Sequence, residues 1–105
     1  MITIAKDTSH QTVITTFDVT PGTAHDLLEA LNDAYTNVIS AAPGFVGAAI
    51  HINDAQTRIA NYSQWRKRED FQAMLRSDEM RKRNRVINDM CKSFEPVMYD
   101  VDGTF

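Results

Sequence analysis

Residues 43–65 read PGFVGAAIHINDAQTRIANYSQW, and this stretch decides how the rest of the chain must fold. Two β-like runs, residues 45–53 and 57–65, are separated by only three residues, 54–56. A connection this short joins neighbouring antiparallel strands. The centre of the chain is therefore predicted to be a β-hairpin.

A strand and a helix are predicted before the hairpin. Residues 12–19 are rich in β-branched side chains, and their apolar members alternate as in a strand. Apolar residues then recur at helical spacing over residues 21–42, after Thr20 as a capping residue. Pro43 disfavours helical geometry in the residue before it, so the helix is expected to end there. Residues 1–11 show no clear pattern and are expected to form a loose N-terminal arm.

The segment after the hairpin completes the order of elements. Residues 67–75 and 78–94 show helical spacing with a break near Ser77, and residues 95–101 alternate as a strand. The chain thus reads β-α-β-β-α-β. This order predicts a single α+β domain of ferredoxin-like type, in which a four-stranded antiparallel sheet carries its helices on one face.

The face of the sheet without helices is expected to be apolar. Phe45, Trp65 and either Phe17 or Ile14 would lie on it, and monomers rarely leave such an area in water. A second copy of the chain would cover these residues. The sequence therefore predicts a homodimer in which two sheets face each other as an α/β barrel.

The expected hairpin register gathers aromatic and polar side chains on that same face. With a three-residue connection, Phe45 lies opposite Trp65 and Ala49 lies opposite Asn61, and opposed residues share a face. The predicted pocket face combines rings, polar groups and small residues: Phe45, Gly47, Ala49, His51, Asn61, Ser63 and Trp65. This mixture suits a pocket for a flat aromatic molecule. A slip of one residue would undo the grouping.

Composition limits the partners and the compartment. The chain of 105 residues suffices for one core, and its net charge of -3 weakly disfavours a nucleic-acid surface. No stretch is apolar over the ~18 residues that a membrane span needs. The single cysteine, Cys91, cannot form an internal disulfide, and the start of the chain lacks a signal-peptide pattern. A cytoplasmic protein with a small molecule as its partner is expected.

Three local features resemble one protein family. The tripeptide PGF at residues 43–45 opens a strand, Asn61-x-x-x-Trp65 ends the next strand, and a helical segment follows. Over residues 12–100 this pattern resembles the antibiotic biosynthesis monooxygenase family, small dimeric α/β-barrel enzymes that include the anthrone oxygenases of aromatic polyketide pathways. The resemblance implies oxidation of an activated polycyclic phenol, anthrone or quinol by O₂, with no flavin, haem or metal as cofactor.

The resemblance also implies roles by position. Asn61 would hydrogen-bond the carbonyl or enolate oxygen of the substrate, and Trp65 would bound the ring cavity and help to position oxygen. Arg85 matches a helical arginine of the family. Phe71 stands where some anthrone oxygenases have a tyrosine, so this chain lacks that hydroxyl. From its own chemistry, His51 is expected to accept a proton or to steady the anion, because its ordinary pKa of ~6.5 suits either role.

Simpler interpretations stay open beside these. Trp65 is also typical of interface packing, Asn61 of a buried amide bonded to backbone, and His51 of an exposed strand histidine. The charged run at residues 81–85 reads most simply as a solvated helix face. A non-catalytic dimeric barrel that binds a hydrophobic aromatic molecule is therefore the alternative function. Nucleotide and zinc signatures are absent, and residues 70–94 contain no histidine to ligate haem.

Overall fold

The computed structural model describes residues 2–6 and 9–105. Their elements follow the predicted order: β1 (Gln11–Asp18), α1 (Pro21–Asn37), β2 (Phe45–Ile52), β3 (Arg58–Trp65), α2 (Arg68–Arg76), α3 (Asp78–Asp89) and β4 (Ser93–Tyr99). A short 3-10 turn, Ile39–Ala41, follows α1. The second helical segment divides into α2 and α3 at Ser77, as predicted.

The four strands form one antiparallel sheet in the order β2-β3-β1-β4. Alternate residues of the two central strands are buried against the helices, namely Val13 and Phe17 of β1 with Ile59 and Trp65 of β3. The same core clusters contain buried residues of α1, α2 and α3. All three helices therefore cover one face of the sheet, and the predicted ferredoxin-like fold is confirmed.

Two helices end earlier than apolar spacing predicts. The spacing extends α1 to residue 42, but Val38 leaves helical geometry at φ −128° and the 3-10 turn carries Ile39 into the core. α3 ends before Phe94, because Phe94 pairs with Phe17 in the sheet and the two rings stack with centroids 5.6 Å apart. In both places, tertiary packing of an apolar residue overrides the helical period.

The hairpin connection is longer than the sequence predicts. The N–H of Asn53 donates to the carbonyl of Arg58 at 3.1 Å, so residues 54–57 form the loop between them. The Asn53 Oδ1 accepts the N–H groups of Thr57 at 2.9 Å and Arg58 at 2.8 Å, acting as an extra backbone-like acceptor. Gln56 turns the chain with φ +57°. This loop replaces the three-residue connection that the strand pattern favoured.

The longer loop shifts most of β2 by one residue against β3. Ala49 lies opposite Tyr62 rather than Asn61, and His51 lies opposite Ala60. Because opposed residues share a face, Ala49 and His51 lie on the face away from Asn61. The predicted grouping of these residues on one face is therefore wrong.

A β-bulge between Phe45 and Gly47 restores the predicted pairing at the other end of β2. Phe45 lies opposite Trp65 as expected, whereas Gly47 lies opposite Gln64. The extra residue of a bulge changes which side chains face the core. Phe45 and Trp65 consequently pack on the helix side, while Gly47 lies on the open side.

The beginning of the chain lies on the open side of the sheet. The Gln64 Nε2 donates to the carbonyl of Thr3 at 2.7 Å, and the side chain of Ile2 lies against Gly47. Gln64 is only 4% exposed. Ile2 and Thr3 thus pack on the sheet instead of extending as a loose arm. Three residues of the predicted arm lie outside the described ones: Met1, Asp7 and Thr8.

The open side is less apolar than the sequence predicts. The large rings expected there lie on the helix side instead: Phe17, Phe45 and Trp65. Of the expected residues, Ile14 does lie on the open side, where it pairs with Tyr62 and Val97. All three are half-buried. The homodimer therefore stays a prediction, and it rests on a smaller patch than the sequence suggested.

Replacement of Gly44 by alanine is expected to destabilise the fold by about 2 kcal/mol or more, because a side chain at positive φ alone costs ~1–3 kcal/mol. Gly44 has φ +84°, and a Cβ there would overlap the side chain of Asp70 in the first turn of α2. Gly22 is the matched control, since its Cβ would meet only Oγ1 of Thr20, at 3.8 Å. Chemical denaturation of Gly44→Ala and Gly22→Ala compares the two, and equal stabilities would contradict this account.

Candidate functional site

A small cavity of about 50 Å³ lies between the sheet and the helices. Most of its lining is apolar: Phe17, Leu31, Ala34, Ile39, Phe71, Met74, Leu75, Met80, Ile87 and Phe94. Polar groups come from four residues on different elements: Thr15, Tyr35, Asn61 and Asn84. An apolar cavity with a few converging polar groups is typical of a small-molecule site.

Asn61 is the polar side chain that β3 contributes to this cavity. It is flanked in the sheet by Thr15 of β1 and Ile50 of β2. Asn61 is 4% exposed, and its Oδ1 is buried without a hydrogen-bond partner. An unpaired buried acceptor costs about 1–3 kcal/mol and is rare in folded proteins. The Oδ1 therefore offers an available acceptor to a hydroxyl group that enters the cavity.

Tyr35 reaches the same cavity from α1. Its half-buried phenol lies within hydrogen-bonding reach of the side chains of Asn61 and Ser63. Burial raises the pKa of Tyr35 to about 12, and hydrogen bonding with Asn61 and Ser63 opposes this rise only in part. At neutral pH the phenol is thus uncharged and acts as a hydrogen-bonding group rather than as a base.

Trp65 lies behind the cavity at the centre of an aromatic cluster. It is fully buried, and its Nε1 donates to Oγ of Ser63 at 3.1 Å, which in turn donates to the carbonyl of Val13 at 3.3 Å. Its ring makes edge-to-face contacts with Phe45 at 5.4 Å and Phe71 at 5.7 Å between centroids. Phe71 lines the cavity, so Trp65 supports the cavity wall from behind.

The part of the chain that builds this site matches a known family. Residues 11–85 match the family described as antibiotic biosynthesis monooxygenase. This range contains Tyr35, Asn61, Trp65 and Phe71. The chain belongs to that family.

A curated monooxygenase is similar in sequence to this family member. Tetracenomycin-F1 monooxygenase of Streptomyces glaucescens is 34% identical over 74 residues, which make up 70% of this chain and 66% of the relative. The chain thus spans just under two thirds of that relative's length. The aligned part is long enough to contain most of the ferredoxin-like core.

Solved structures share the family fold at low sequence identity. A mutant of SnoaB, a cofactor-independent oxygenase from Streptomyces nogalater, superposes with a TM-score of 0.81 at 13% identity, covering 92% of this chain and 97% of SnoaB. A monooxygenase from the gene ActVA-Orf6 of Streptomyces coelicolor, in complex with the ligand Nanaomycin D, gives a TM-score of 0.76 at 23% identity. Its alignment covers 90% of this chain and 89% of that one. Both comparisons support the fold described above.

The structure divides the predicted site residues of this family member into two groups. On the helix side, at or behind the cavity, lie Phe45, Asn61, Ser63, Trp65 and Phe71. Away from the cavity lie Gly47, Ala49, His51 and Arg85. His51 is exposed, with Nδ1 3.3 Å from the carbonyl oxygen of Ala60. Arg85 is exposed on α3, and its neighbour Asn84 lines the cavity instead. The expected convergence of His51 and Arg85 with Asn61 is therefore not observed.

Sequence reasoning missed three polar residues at the cavity: Thr15, Tyr35 and Asn84. Tyr35 fits the apolar stripe of α1 and reads as an ordinary core residue. Asn84 precedes the buried Ile87 by three residues, so both lie on one face of α3. The sequence signal for Asn84 was a polar residue at a helix position that faces the core. Buried polar groups need hydrogen-bond partners, so such a residue indicates a polar contact inside the fold.

The polar groups at the cavity are amides and hydroxyls, which suit uncharged oxygen groups of a ligand. Within residues 2–6 and 9–105, no three His, Cys, Asp or Glu side chains come together as a metal ion would need. Over the same ranges, no helix has the length and apolar character to cross a bilayer.

The free energy of unfolding is expected to fall by about 1 kcal/mol between pH 9 and pH 11 because of Tyr35. The phenol ordinarily ionises with a pKa of 10.0, whereas in the fold its pKa is about 12. Above pH 10 the unfolded chain loses this proton first and is stabilised relative to the fold, so stability decreases as pH rises. Denaturation at a series of pH values measures the slope. Tyr35→Phe should lose part of it, and identical slopes in both proteins would contradict the prediction.

Proposed function

We propose that this protein is a cofactor-independent monooxygenase that oxidises an activated polycyclic phenol, anthrone or quinol with O₂. The unpaired Oδ1 of Asn61, buried at an apolar cavity, carries the proposal, because a substrate hydroxyl supplies the missing donor. Family membership and the similarity to Tetracenomycin-F1 monooxygenase support the reaction class. The description of SnoaB as a cofactor-independent oxygenase supports the lack of a cofactor, and the ligand Nanaomycin D of the Streptomyces coelicolor enzyme supports an aromatic substrate.

In the proposed reaction the substrate itself is the reductant. Loss of a proton from the activated carbon gives a delocalised anion, which transfers electrons to O₂. In an anthrone the CH₂ group becomes C=O, so one oxygen atom enters the substrate and the other leaves as water with the two hydrogens. The carbon loses four electrons and O₂ gains four, so no further reductant is needed. The protein must orient the substrate and stabilise its negative charge.

The residues on the helix side can meet these needs. The Asn61 amide donates through Nδ2 to the oxygen on which negative charge develops, while Oδ1 accepts from a neighbouring hydroxyl. Hydrogen bonds of this kind are stronger in an apolar surrounding than in water. Phe71 forms an apolar wall for the rings, and Trp65 is a positioning residue because it holds Phe71 by an edge-to-face contact. In this proposal His51 and Arg85 have no catalytic role.

Oxygen consumption by the purified protein tests the function. The protein is freed of metal with a chelator and mixed with a panel of anthrones and hydroquinones, and uptake is compared with the autoxidation of each compound. Uptake above autoxidation for at least one compound is expected. No catalysed uptake across the panel, despite measurable binding, would contradict the proposal.

His51→Ala is the matched control for this assay, because His51 is a polar residue on the same hairpin but on the open side. Its rate and its pH profile are expected to match those of the unchanged protein. A lost or shifted limb in the pH profile would show instead that His51 handles the proton, as its chemistry first suggested.

Sequestration of an aromatic molecule without catalysis is the second candidate. The cavity volume of about 50 Å³ favours a non-catalytic role, because it leaves no room for a substrate ring beside Asn61. The oxygen assay separates the two candidates, since a binding module would quench Trp65 fluorescence with the same compounds but consume no oxygen.

The protein is expected to be a dimer that uses the open side of the sheet. Ile14 pairs there with Tyr62 and Val97, and Tyr99 at the end of β4 is 47% exposed. Light scattering should give twice the chain mass. Ile14→Glu should lower that mass to one chain, because a charge cannot be buried in an apolar interface without a partner. Val86→Glu, an exposed position on α3 on the other side of the sheet, is the control, and dissociation of both variants alike would contradict this surface.

A further inference from the structure

The small cavity lacks the room for the substrate that the proposed function requires. It measures about 50 Å³, whereas small-molecule pockets commonly measure about 300–1,000 Å³. An open groove of about 660 Å³ lies beside it, between α1 and the edge strand β2. Of these two spaces, the groove is the one with room for several fused rings.

Tyr35 is the side chain that borders both the groove and the cavity. The cavity also shares a residue with each of the other neighbouring depressions: Phe17, Met74 and Ile87. Those three are at most 7% exposed and belong to the core. Tyr35 is half-buried, so it extends from the surface to the Asn61 side chain. Rotation of this one side chain would join the two spaces.

The chemistry of the groove favours a neutral aromatic ligand. Its floor is apolar, with Phe45, Ala48 and Ile50 from β2, and its rim carries uncharged polar residues such as Asn32 and Thr36 of α1. Among the residues that the structure describes, those lining the groove include no charged side chain. The depression between α1 and α3 differs, because acidic and basic side chains line it together. Apolar surface with a polar rim suits fused rings that carry hydroxyl or carbonyl groups at their edge.

A row of rings leads from the groove to the cavity. The Tyr35 and Phe45 centroids lie 6.3 Å apart, those of Phe45 and Trp65 lie 5.4 Å apart, and those of Trp65 and Phe71 lie 5.7 Å apart. Aromatic rings stack or meet edge-to-face at such distances. A flat substrate that enters past Tyr35 would contact the Tyr35 and Phe45 rings in the groove and the Phe71 ring in the cavity. Trp65 packs behind them.

We propose that the groove between α1 and β2 holds the outer rings of a neutral polycyclic phenol, and that Tyr35 closes the passage through which the reacting ring reaches Asn61. This inference rests on the proposed function for the identity of the ligand. The site consists of two parts: an open groove that selects flat, uncharged rings and a small cavity where the reacting carbon meets Asn61. In the structure, Tyr35 lines both parts.

Filling the groove tests the first half of this proposal. Ala48→Phe places a ring on the groove floor, and Thr36→Phe places one at the exposed rim in case the first variant folds poorly. Val86→Phe is the matched control, because Val86 is 52% exposed in the depression between α1 and α3. Quenching of Trp65, the single tryptophan, measures the dissociation constant of a three-ring anthrone and of single-ring hydroquinone in each variant.

The groove variants are expected to weaken binding of the three-ring compound about tenfold or more, with hydroquinone and the control variant changed less than about twofold. Equal affinities in all variants would overturn the groove site. Failure of the unchanged protein to bind any three-ring compound would overturn it as well. These dissociation constants do not depend on turnover. An absence of oxygen uptake would therefore contradict the proposed function without affecting the test of the groove.

Removal of the Tyr35 ring tests the second half. Tyr35→Ala is expected to raise the association rate of the three-ring compound about tenfold in stopped-flow quenching, because no ring has to rotate before entry. Tyr35→Phe keeps the ring and should stay within about threefold of the unchanged protein. An unchanged association rate in Tyr35→Ala, with the thermal transition intact, would overturn the closing role. A purely structural role of the ring would lower stability without speeding association.

Discussion

Asn61→Ala is expected to lower kcat about a hundredfold, because removing one hydrogen-bond donor from a developing oxyanion commonly costs ~10²–10³ in rate. The side chain is 4% exposed, lines the cavity and holds an unpaired Oδ1, so its amide is available to hydrogen-bond a substrate oxygen. Initial rates of oxygen uptake over a range of substrate concentrations separate kcat from KM. A fall in kcat larger than the change in KM would indicate an interaction made mainly in the transition state.

The same variant should not destabilise the fold. Replacing Asn61 by alanine removes an unpaired buried acceptor but also loses the hydrogen bond to Tyr35. The first effect is the larger, so the free energy of unfolding should stay equal or rise by about 1 kcal/mol. This opposite movement of activity and stability is typical of residues kept for function. A merely structural amide would instead lose stability on replacement.

Asn88→Ala is the matched control for Asn61→Ala, because Asn88 is an exposed asparagine of α3 outside the cavity lining. Its kcat and stability should equal those of the unchanged protein. If Asn61→Ala also kept its kcat within about twofold, the proposed site would be wrong, because the loss of a hydrogen-bond donor to the oxyanion must lower kcat.

The fold could be predicted because its determinants are local. Apolar periodicity and a short connection define strands, helices and the antiparallel hairpin, and the handedness of crossovers then leaves one arrangement. The pairing of Phe45 with Trp65 was also predicted correctly. Short-range patterns thus sufficed to place the main elements and one end of the hairpin.

The site could be predicted only in part, because it depends on register. The Asn53 side chain adds an acceptor that lengthens the loop, and the bulge near Gly47 corrects the shift only at the far end of β2. Between these two irregularities β2 is shifted by one residue against β3, so His51 lies on the open side as predicted while Asn61 lies on the helix side. Neither a loop closed by side-chain hydrogen bonds nor a β-bulge can be recognised from the alternation of apolar and polar residues in a strand.

Tyr35 shows a second limit. Its position in α1 follows the apolar spacing, so its ring was correctly expected to face inward. Its hydroxyl meets Asn61 and Ser63 only after the sheet and α1 have packed together. Which polar groups converge is therefore a property of tertiary structure, and periodicity within one element cannot reveal it.

Trp65→Ala is expected to destabilise the fold by about 3–5 kcal/mol, the usual cost of removing a buried large ring. Trp65 is 0% exposed, contacts Phe45 and Phe71 edge-to-face, and donates from Nε1 to Ser63. For a chain of this size, such a loss should lower the midpoint of thermal unfolding by roughly 15 °C or more. Phe105→Ala is the control, since that terminal ring is fully exposed and should leave the midpoint unchanged.

Trp65→Phe separates the structural from the positioning contribution of this residue. A phenyl ring keeps part of the edge-to-face packing but loses the 3.1 Å hydrogen bond to Ser63, so a cost of about 1–2 kcal/mol is expected. Turnover should fall as well, because Phe71 loses part of its support and the cavity wall no longer holds the ring in one orientation. A variant that unfolds earlier but turns over at the normal rate would limit Trp65 to the core. A loss of turnover at unchanged stability would instead indicate direct contact between the indole and the substrate, which the small cavity does not show.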